Sequence, residues 1–262
     1  MRSRLAPTPS GKLHLGNIYN FILTWWHVRS NSGTLTLRID DADELRAKRE
    51  YIDNIFDTLE WLEIDLDDGP SSSEDFIQNY SQQKKKDYYL SKIIKRNDIF
   101  FCDCSRKKVN EEGHYEGKCF DKKRVFAAGE FAIRLNKAPY FPLLWRRDNI
   151  PAYHLTTLID DDDLNITDLI RGKDLLPSSL IQKDLASILN TKIPAHVFHH
   201  KIITSNIGEK LSKTQGDKGV HEVYHNRQEV FDQFAGLLKI EKFSRLNELK
   251  TRSFPKEVLL QL

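Results

Sequence analysis

Residues 4–17 read RLAPTPSGKLHLGN, in full Arg4-Leu5-Ala6-Pro7-Thr8-Pro9-Ser10-Gly11-Lys12-Leu13-His14-Leu15-Gly16-Asn17. A short segment starting at Leu5 breaks at Pro7 and Pro9, which lack the N–H a strand ladder needs, and Gly11 turns the chain. A helical pattern then runs from about Asn17 to Asn31, with Ile18, Phe21, Ile22, Trp25 and Trp26 at helical spacing and Gly33 closing it. A strand–turn–helix junction of this kind offers free N–H groups and a favourable field to phosphates. His14 and Asn17 can donate to a polyphosphate there, and Gly16 lets a nucleotide approach the backbone closely.

Outward from that junction, Thr34–Ile39 (TLTLRI) alternates and reads as a strand. Tyr51–Leu62 reads as an amphipathic helix through Ile52, Ile55, Phe56, Leu59 and Leu62. Strand, helix, strand, helix implies an α/β fold with a parallel sheet. Phe100–Cys104 and Phe131–Leu135 are strand-like and bracket a polar, cysteine-bearing stretch that runs to Lys123 and reads as an insertion. Ala152–Asp160, Ile166–Arg171 and His196–Ile203 are further strand candidates, Ser178–Leu189 is helical, and the tail after Thr214 is mostly helical and charged. The expected organisation is a first half over 1–98, an insertion over 99–140, a second half over 141–214 and a helical region over 215–262.

Composition narrows the function classes. The 262 residues carry 40 Lys+Arg against 38 Asp+Glu, a net charge of +2, which excludes a uniformly basic nucleic-acid binder but not a basic face. With 39% hydrophobic and 30% charged residues, a packed globular protein is expected, not a disordered one. No apolar run reaches the roughly 18–20 residues of a membrane span, and the N-terminus has no secretory signal. Three cysteines, all between 102 and 119, argue against a disulfide framework and for a cytoplasmic protein, with a metal as one explanation.

Two further clusters carry chemistry. Lys210-Leu211-Ser212-Lys213-Thr214 follows Gly208, and two lysines three apart can neutralise charge developing on a pyrophosphate. Cys102-x-Cys104 and Cys119 can supply thiolates to a closed, structural Zn²⁺ site, or stand as three reduced cysteines without metal. The acidic block Asp160–Asp163 reads as acids facing solvent at a strand end or capping a helix, rather than as a metal site. The lysine runs 84–86 and 122–124 read as solvated faces, one of them available to the phosphates of a nucleic acid.

Taken together, HLGN near the N-terminus and KLSKT about two hundred residues later resemble the HIGH and KMSKS signatures of class I aminoacyl-tRNA synthetases. RLAPTPSGKLHLGN, RIDDAD at 38–43, PAYHL at 151–155 and LIRGKDLL at 169–176 are similar to the glutamyl branch of that class, in order along nearly the whole chain. The 48 residues after Thr214 and the pattern Cys102-x-Cys104…Tyr115-x-x-x-Cys119 further resemble the truncated branch that glutamylates queuosine in tRNA(Asp). The resemblance implies a Rossmann-type catalytic core with a small zinc-bearing insertion, a short helical C-terminal part and no anticodon-binding domain. It implies catalytic roles for His14, Asn17, Lys210 and Lys213, with His14, Gly16 and Lys213 at ATP. It implies glutamate contacts from Arg4, Leu5, Ala6, Pro7, Thr8, Asp40, Tyr153 and Arg171, with Arg46 as a helper. Zinc would sit on Cys102, Cys104, Tyr115 and Cys119, with His114 as the alternative to Tyr115.

The implied substrates are L-glutamate, ATP with Mg²⁺, and tRNA(Asp) carrying queuosine, handled by a cytoplasmic monomer without membrane contact. One position departs from the pattern. The family's R-I-E-D is Arg38-Ile39-Asp40-Asp41 here, so the acid expected to receive the substrate ammonium is one methylene shorter; Asp43 is expected to be structural. A same-fold ligase that charges another tRNA or a carrier, and a non-catalytic RNA-binding relative, remain alternatives.

Overall fold

The structure, a computed structural model, describes residues 1–105, 109, 115–201 and 218–262. Strand β1 (Arg2–Leu5) pairs in parallel with β2 (Thr34–Leu37), Arg4 lying opposite Thr36. Helix α1 (Leu15–Ser30) crosses between them. Its apolar residues do more than form one stripe: Ile18, Phe21, Ile22, Leu23, Trp25, Trp26 and Val28 are all buried, so the helix is packed on most of its circumference. Helix α2 (Arg49–Trp61) buries only Ile52, Ile55, Thr58 and Leu59, the single face its sequence pattern predicts.

The chain then passes through the short α3 (Ser73–Asp75), a π-turn (Phe76–Tyr80), a 3₁₀ turn (Gln82–Lys85) and α4 (Lys86–Ser91). Strands β3 (Ile99–Cys102), β4 (Ala132–Leu135) and β5 (Leu143–Trp145) form a separate antiparallel sheet. Helix α5 (Tyr153–Asp163), strand β6 (Asp168–Gly172), helix α6 (Leu176–Leu189) and strand β7 (His196–His200) follow. β6 and β7 are parallel, and β8 (Leu259–Gln261) closes that sheet antiparallel to β7. The N–H of Thr167 donates to Arg2 C=O at 2.9 Å, which sets the β1–β2 pair beside β6. One core lies around α1 and the β1–β2 pair, reached from the tail by Phe231, Phe234, Phe243 and Leu249. A second joins Ile133 and Trp145 to Leu155 and Leu158 of α5 and Leu185 of α6.

The strand expected over Ala152–Asp160 is a helix. Thr156, Thr157 and Ile159 give the segment a β-branched look, but Leu155, Leu158 and Ile159 bury one helical face against β5 and α6. The threonine hydroxyls fold back onto Tyr153 C=O at 3.2 and 2.8 Å, a contact open to them in a helix. The acidic block is corrected with it. Asp160 and Asp161 are 1% and 3% exposed, on the inner side of α5 rather than facing solvent.

The tail holds α7 (Val220–Val223) and α8 (Arg227–Leu238), 3₁₀ turns and the strand β8. Val220 N–H donates to Leu13 C=O at 2.7 Å, so the start of α7 is fastened to the turn that precedes α1. Among the described residues no helix is long and apolar enough to cross a membrane.

Candidate active site

A cavity of about 510 Å³ opens at the carboxyl ends of β1, β6 and β7 and at the first turn of α1, the place where parallel α/β sheets hold nucleotides. Arg4, Ala6, Pro7, Thr8, His14, Gly16, Asn17, Asp40, Tyr153 and Arg171 all line it. Leu5 does not: its side chain is wholly buried in the core beneath α1. Lys210, Lys213 and His114 lie outside the described residues.

His14 is the N-cap of α1. Gly16 N–H donates to its Nδ1 at 3.1 Å, and its own N–H donates to Asn17 Oδ1 at 3.1 Å. These reciprocal bonds satisfy helix-end donors and orient the ring. With Nδ1 accepting, the neutral imidazole carries its proton on Nε2. Asn17 therefore has a second task beside any contact with a ligand.

Behind the cavity lies a buried cluster of charge. Arg4 donates from Nε and Nη2 to Asp161 at 2.8 and 3.2 Å. Arg38 donates from Nη1 to Asp161 at 2.6 Å, and its Nε and Nη2 fork onto Asp40 at 2.7 and 3.2 Å. Arg171 donates from Nη1 to Ser179 and Gln182 at 3.1 and 2.5 Å, and its Nη2 stands 3.7 Å from Asp161. Burial alone would raise the Asp161 carboxyl, but Arg4 and Arg38, with help from Arg171, hold it down at about 2. Gln82 ties Asp40 to Asp160 with one amide nitrogen, at 3.3 and 2.8 Å. Tyr89 and Lys85 complete the surroundings of Asp160.

The short acid at position 40 thus has both oxygens engaged by Arg38. Asp43 pairs with Arg146 at 2.6 Å, and Arg46 donates to Ser10 Oγ at 3.3 Å near the cavity rim. Sequence reasoning missed Asp161, Gln82 and Ser179. One signal was present: Tyr153, Thr157 and Asp161 are four residues apart, and a helix reading of the segment would have put them on one face. His200, at the end of β7, was also missed. Its Nδ1–H donates to Lys201 C=O at 2.8 Å, while its buried Nε2 has no partner among the described residues. Burial lowers its pKa, so the ring is neutral and Nε2 is an acceptor at the cavity wall.

A second cluster lies at the end of β3. The sulfur atoms of Cys102, Cys104 and Cys119 are all within 4.8 Å of one another, and those of Cys104 and Cys119 are 3.6 Å apart. Tyr115 is buried beside them, its hydroxyl accepting from Cys119 N–H at 3.1 Å and its ring stacked under the Arg134 guanidinium at 4.0 Å. Burial opposes ionisation of Cys119, but hydrogen bonds from Tyr115 and the Asp103 backbone outweigh it and hold that thiol below its ordinary value.

The family described as tRNA synthetases class I (E and Q), catalytic domain, matches residues 1–132 and 140–235. A glutamate–tRNA ligase of Coxiella burnetii is 30% identical over 250 residues, covering 82% of this chain and 51% of that protein. The glutamate–tRNA ligase of Buchnera aphidicola is 29% identical over 261 residues, covering 86% and 54%. The chain therefore spans about half the length of the curated relatives it matches. The crystal structure of glutamate-tRNA synthetase from Elizabethkingia anophelis superposes with a TM-score of 0.76 at 20% identity, over 97% of this chain and 65% of that one. Methionyl-tRNA synthetase of Mycobacterium tuberculosis shares the fold more distantly, with a TM-score of 0.56 at 13% identity.

Proposed function

The chain belongs to the class I tRNA synthetases (E and Q) through their catalytic domain, and from that premise we propose that it activates L-glutamate with ATP and transfers it to tRNA. The observation that carries the reading is the meeting, in one cavity, of a capped helix N-terminus with His14 and of two buried guanidiniums, Arg4 and Arg171. The first suits a polyphosphate and the second a carboxylate.

In the activation step an oxygen of the substrate α-carboxylate attacks the α-phosphorus of ATP. A new P–O bond forms, the bond to the bridging oxygen breaks, and pyrophosphate leaves with that electron pair. The carboxylate is already ionised, so no base is required. Nε2–H of His14 and the first turn of α1 donate to the phosphoryl oxygens, and Lys210 and Lys213 hold the departing pyrophosphate with the Mg²⁺ that accompanies ATP. Arg4 and Arg171 take the substrate's carboxylates, Tyr153 closes the wall beside them, and Ala6, Pro7 and Thr8 supply the turn beneath. Asp40 supplies negative charge toward the ammonium.

The acceptor we propose is a hydroxyl of the queuosine cyclopentenediol in tRNA(Asp), which makes the chain a glutamyl-Q tRNA(Asp) synthetase. The hydroxyl oxygen attacks the adenylate carbonyl, the anhydride C–O bond breaks with its electron pair going to the phosphate oxygen, and the hydroxyl proton passes to the departing AMP phosphate. The cysteine cluster supports this acceptor, since Cys102, Cys104, Cys119 and Tyr115 match that branch's zinc pattern. Sulfurs on a tetrahedral zinc, each about 2.3 Å from the metal, stand roughly 3.8 Å apart, and the spacings here are compatible. Zn²⁺ held there would pin the β3 end structurally and take no part in the reaction.

The test is amino-acid-dependent ATP–pyrophosphate exchange with all twenty amino acids, followed by charging of tRNA with and without queuosine. Glutamate is expected to lead, Lys213→Ala to abolish most of the exchange, and only the queuosine-containing tRNA to accept. A different leading amino acid, or wild-type exchange in Lys213→Ala, overturns the activation reading. Equal charging of both tRNAs overturns the acceptor.

A further inference from the structure

Arg4 and Arg171 line the cavity, yet neither is free to choose its own direction. Arg4 is held along its Nε–Nη2 edge by Asp161, and Arg171 stands between Ser179 and Gln182 on one side and Asp161 on the other. Asp161 itself is not part of the cavity wall. It comes up from α5, 3% exposed, and meets three guanidiniums at once: Arg4, Arg38 and Arg171.

At the cavity, Arg4 and Arg171 share a single carboxylate, that of Asp161. Arg38 is shared between Asp161 and Asp40, and Asp160 has Lys85 as its own cation at 3.3 Å. Among the described residues Asp161 is the only carboxylate within ion-pair distance of Arg4 and of Arg171, and it serves Arg38 as well. Two buried guanidiniums that share one carboxylate are under-paired until an anion joins them. The two arginines that share Asp161 and also reach the cavity are where that anion would sit.

We propose that Asp161 is the positioning residue for carboxylate recognition: it holds Arg4 and Arg171 at a fixed separation, so that a ligand carboxylate completes the cluster. The inference rests on the glutamate-activating reading and deepens it. Asp161 does not touch the ligand. It fixes one edge of Arg4, leaving the Nη1 side for the cavity, and it keeps Arg171 from turning wholly toward α6. Because Arg4 and Arg171 share one acid and offer only donors, a ligand carboxylate pairs with them and an amide NH2 does not, so the arrangement discriminates glutamate from glutamine.

Asp161→Asn removes the charge at nearly constant volume. In pyrophosphate exchange the KM for glutamate is expected to rise at least tenfold, with the KM for ATP within twofold of wild type. The ratio of kcat/KM for glutamate to that for glutamine is expected to fall at least tenfold. That ratio does not depend on how much of the variant is folded, and a purely structural role would leave it in place. A ratio within twofold of wild type, or an equal rise in both KM values, overturns the proposal.

A second measurement needs no Asp161 variant. In ¹⁵N-labelled wild-type protein the Arg4 Nε–H resonance, assigned by its loss in Arg4→Lys, is expected to exchange slowly with water before glutamate is added. Fast exchange in the glutamate-free protein overturns the positioning role. Failure of glutamate-dependent exchange in the wild type would instead sink the activation reading, leaving the Arg4 resonance to report on Asp161 by itself.

Discussion

Arg171→Lys keeps the charge and removes the planar fork that reaches Ser179 and Gln182. A lysine ammonium cannot hold these partners and a ligand carboxylate together. Losing a buried charged hydrogen bond costs roughly 3 kcal/mol, about a hundredfold. Glutamate-dependent pyrophosphate exchange by Arg171→Lys is therefore expected to fall by about two orders of magnitude in kcat/KM, and steady-state kinetics would check it. Arg4, Arg171 and Tyr153 were legible in the sequence only through their motifs, since taken singly they look like surface charges and a core aromatic. The structure inverts that look: both arginines are buried and Tyr153 is 40% exposed. Asp161 was not legible, because an acid inside an acidic run reads as solvated until the three guanidiniums that surround it are in place.

Helix α5 marks where element-level reading fails and why. Local β-branching favours a strand, but the segment is helical because Leu155, Leu158 and Ile159 fill the space between β5 and α6; tertiary packing overrides propensity. The elements that came through clearly, α1, α2, β2 and α6, have long or strongly periodic patterns. The end of β2 supplies a stability test. Gly69 has φ +104°, and a Cβ there would run into the Leu37 backbone. Gly69→Ala is expected to cost about 1–3 kcal/mol, seen as a lower midpoint in urea. At the end of β3, the wild type is expected to carry one zinc per chain by atomic emission, and Cys119→Ala none. Wild type purified without metal-free buffers and still lacking zinc would count against the site.

At the scale of the molecule, buried neutral histidines set its behaviour in acid. Burial lowers His27, His154, His199 and His200 below the ordinary imidazole value. In the unfolded chain each regains a pKa near 6.5 and takes up a proton that the folded state refuses. Their contribution to stability is thus present above about pH 6.5 and lost as pH falls below it. The slope approaches about 1.4 kcal/mol per pH unit for each such proton. Asp161, held down at about 2, adds a later loss between about pH 4 and 2. Calorimetric Tm is expected to be flat from pH 8 to 7 and to fall steadily from about 6.5 downward; a flat Tm to pH 5 would contradict the burial of these rings. This acid sensitivity could not be read from nine histidines in a sequence, because it depends on which of them are wrapped.

The bond from Val220 N–H to Leu13 C=O means that the start of α7 is hitched to the residue beside His14. Two stretches far apart in the polypeptide therefore share one mechanical fulcrum. Proline is welcome as the first residue of a helix and lacks that donor, so Val220→Pro unhitches the pair while leaving α7 able to form. Turnover should then slacken with glutamate KM unmoved, as in a vice whose jaws still fit the workpiece after the screw has been loosened.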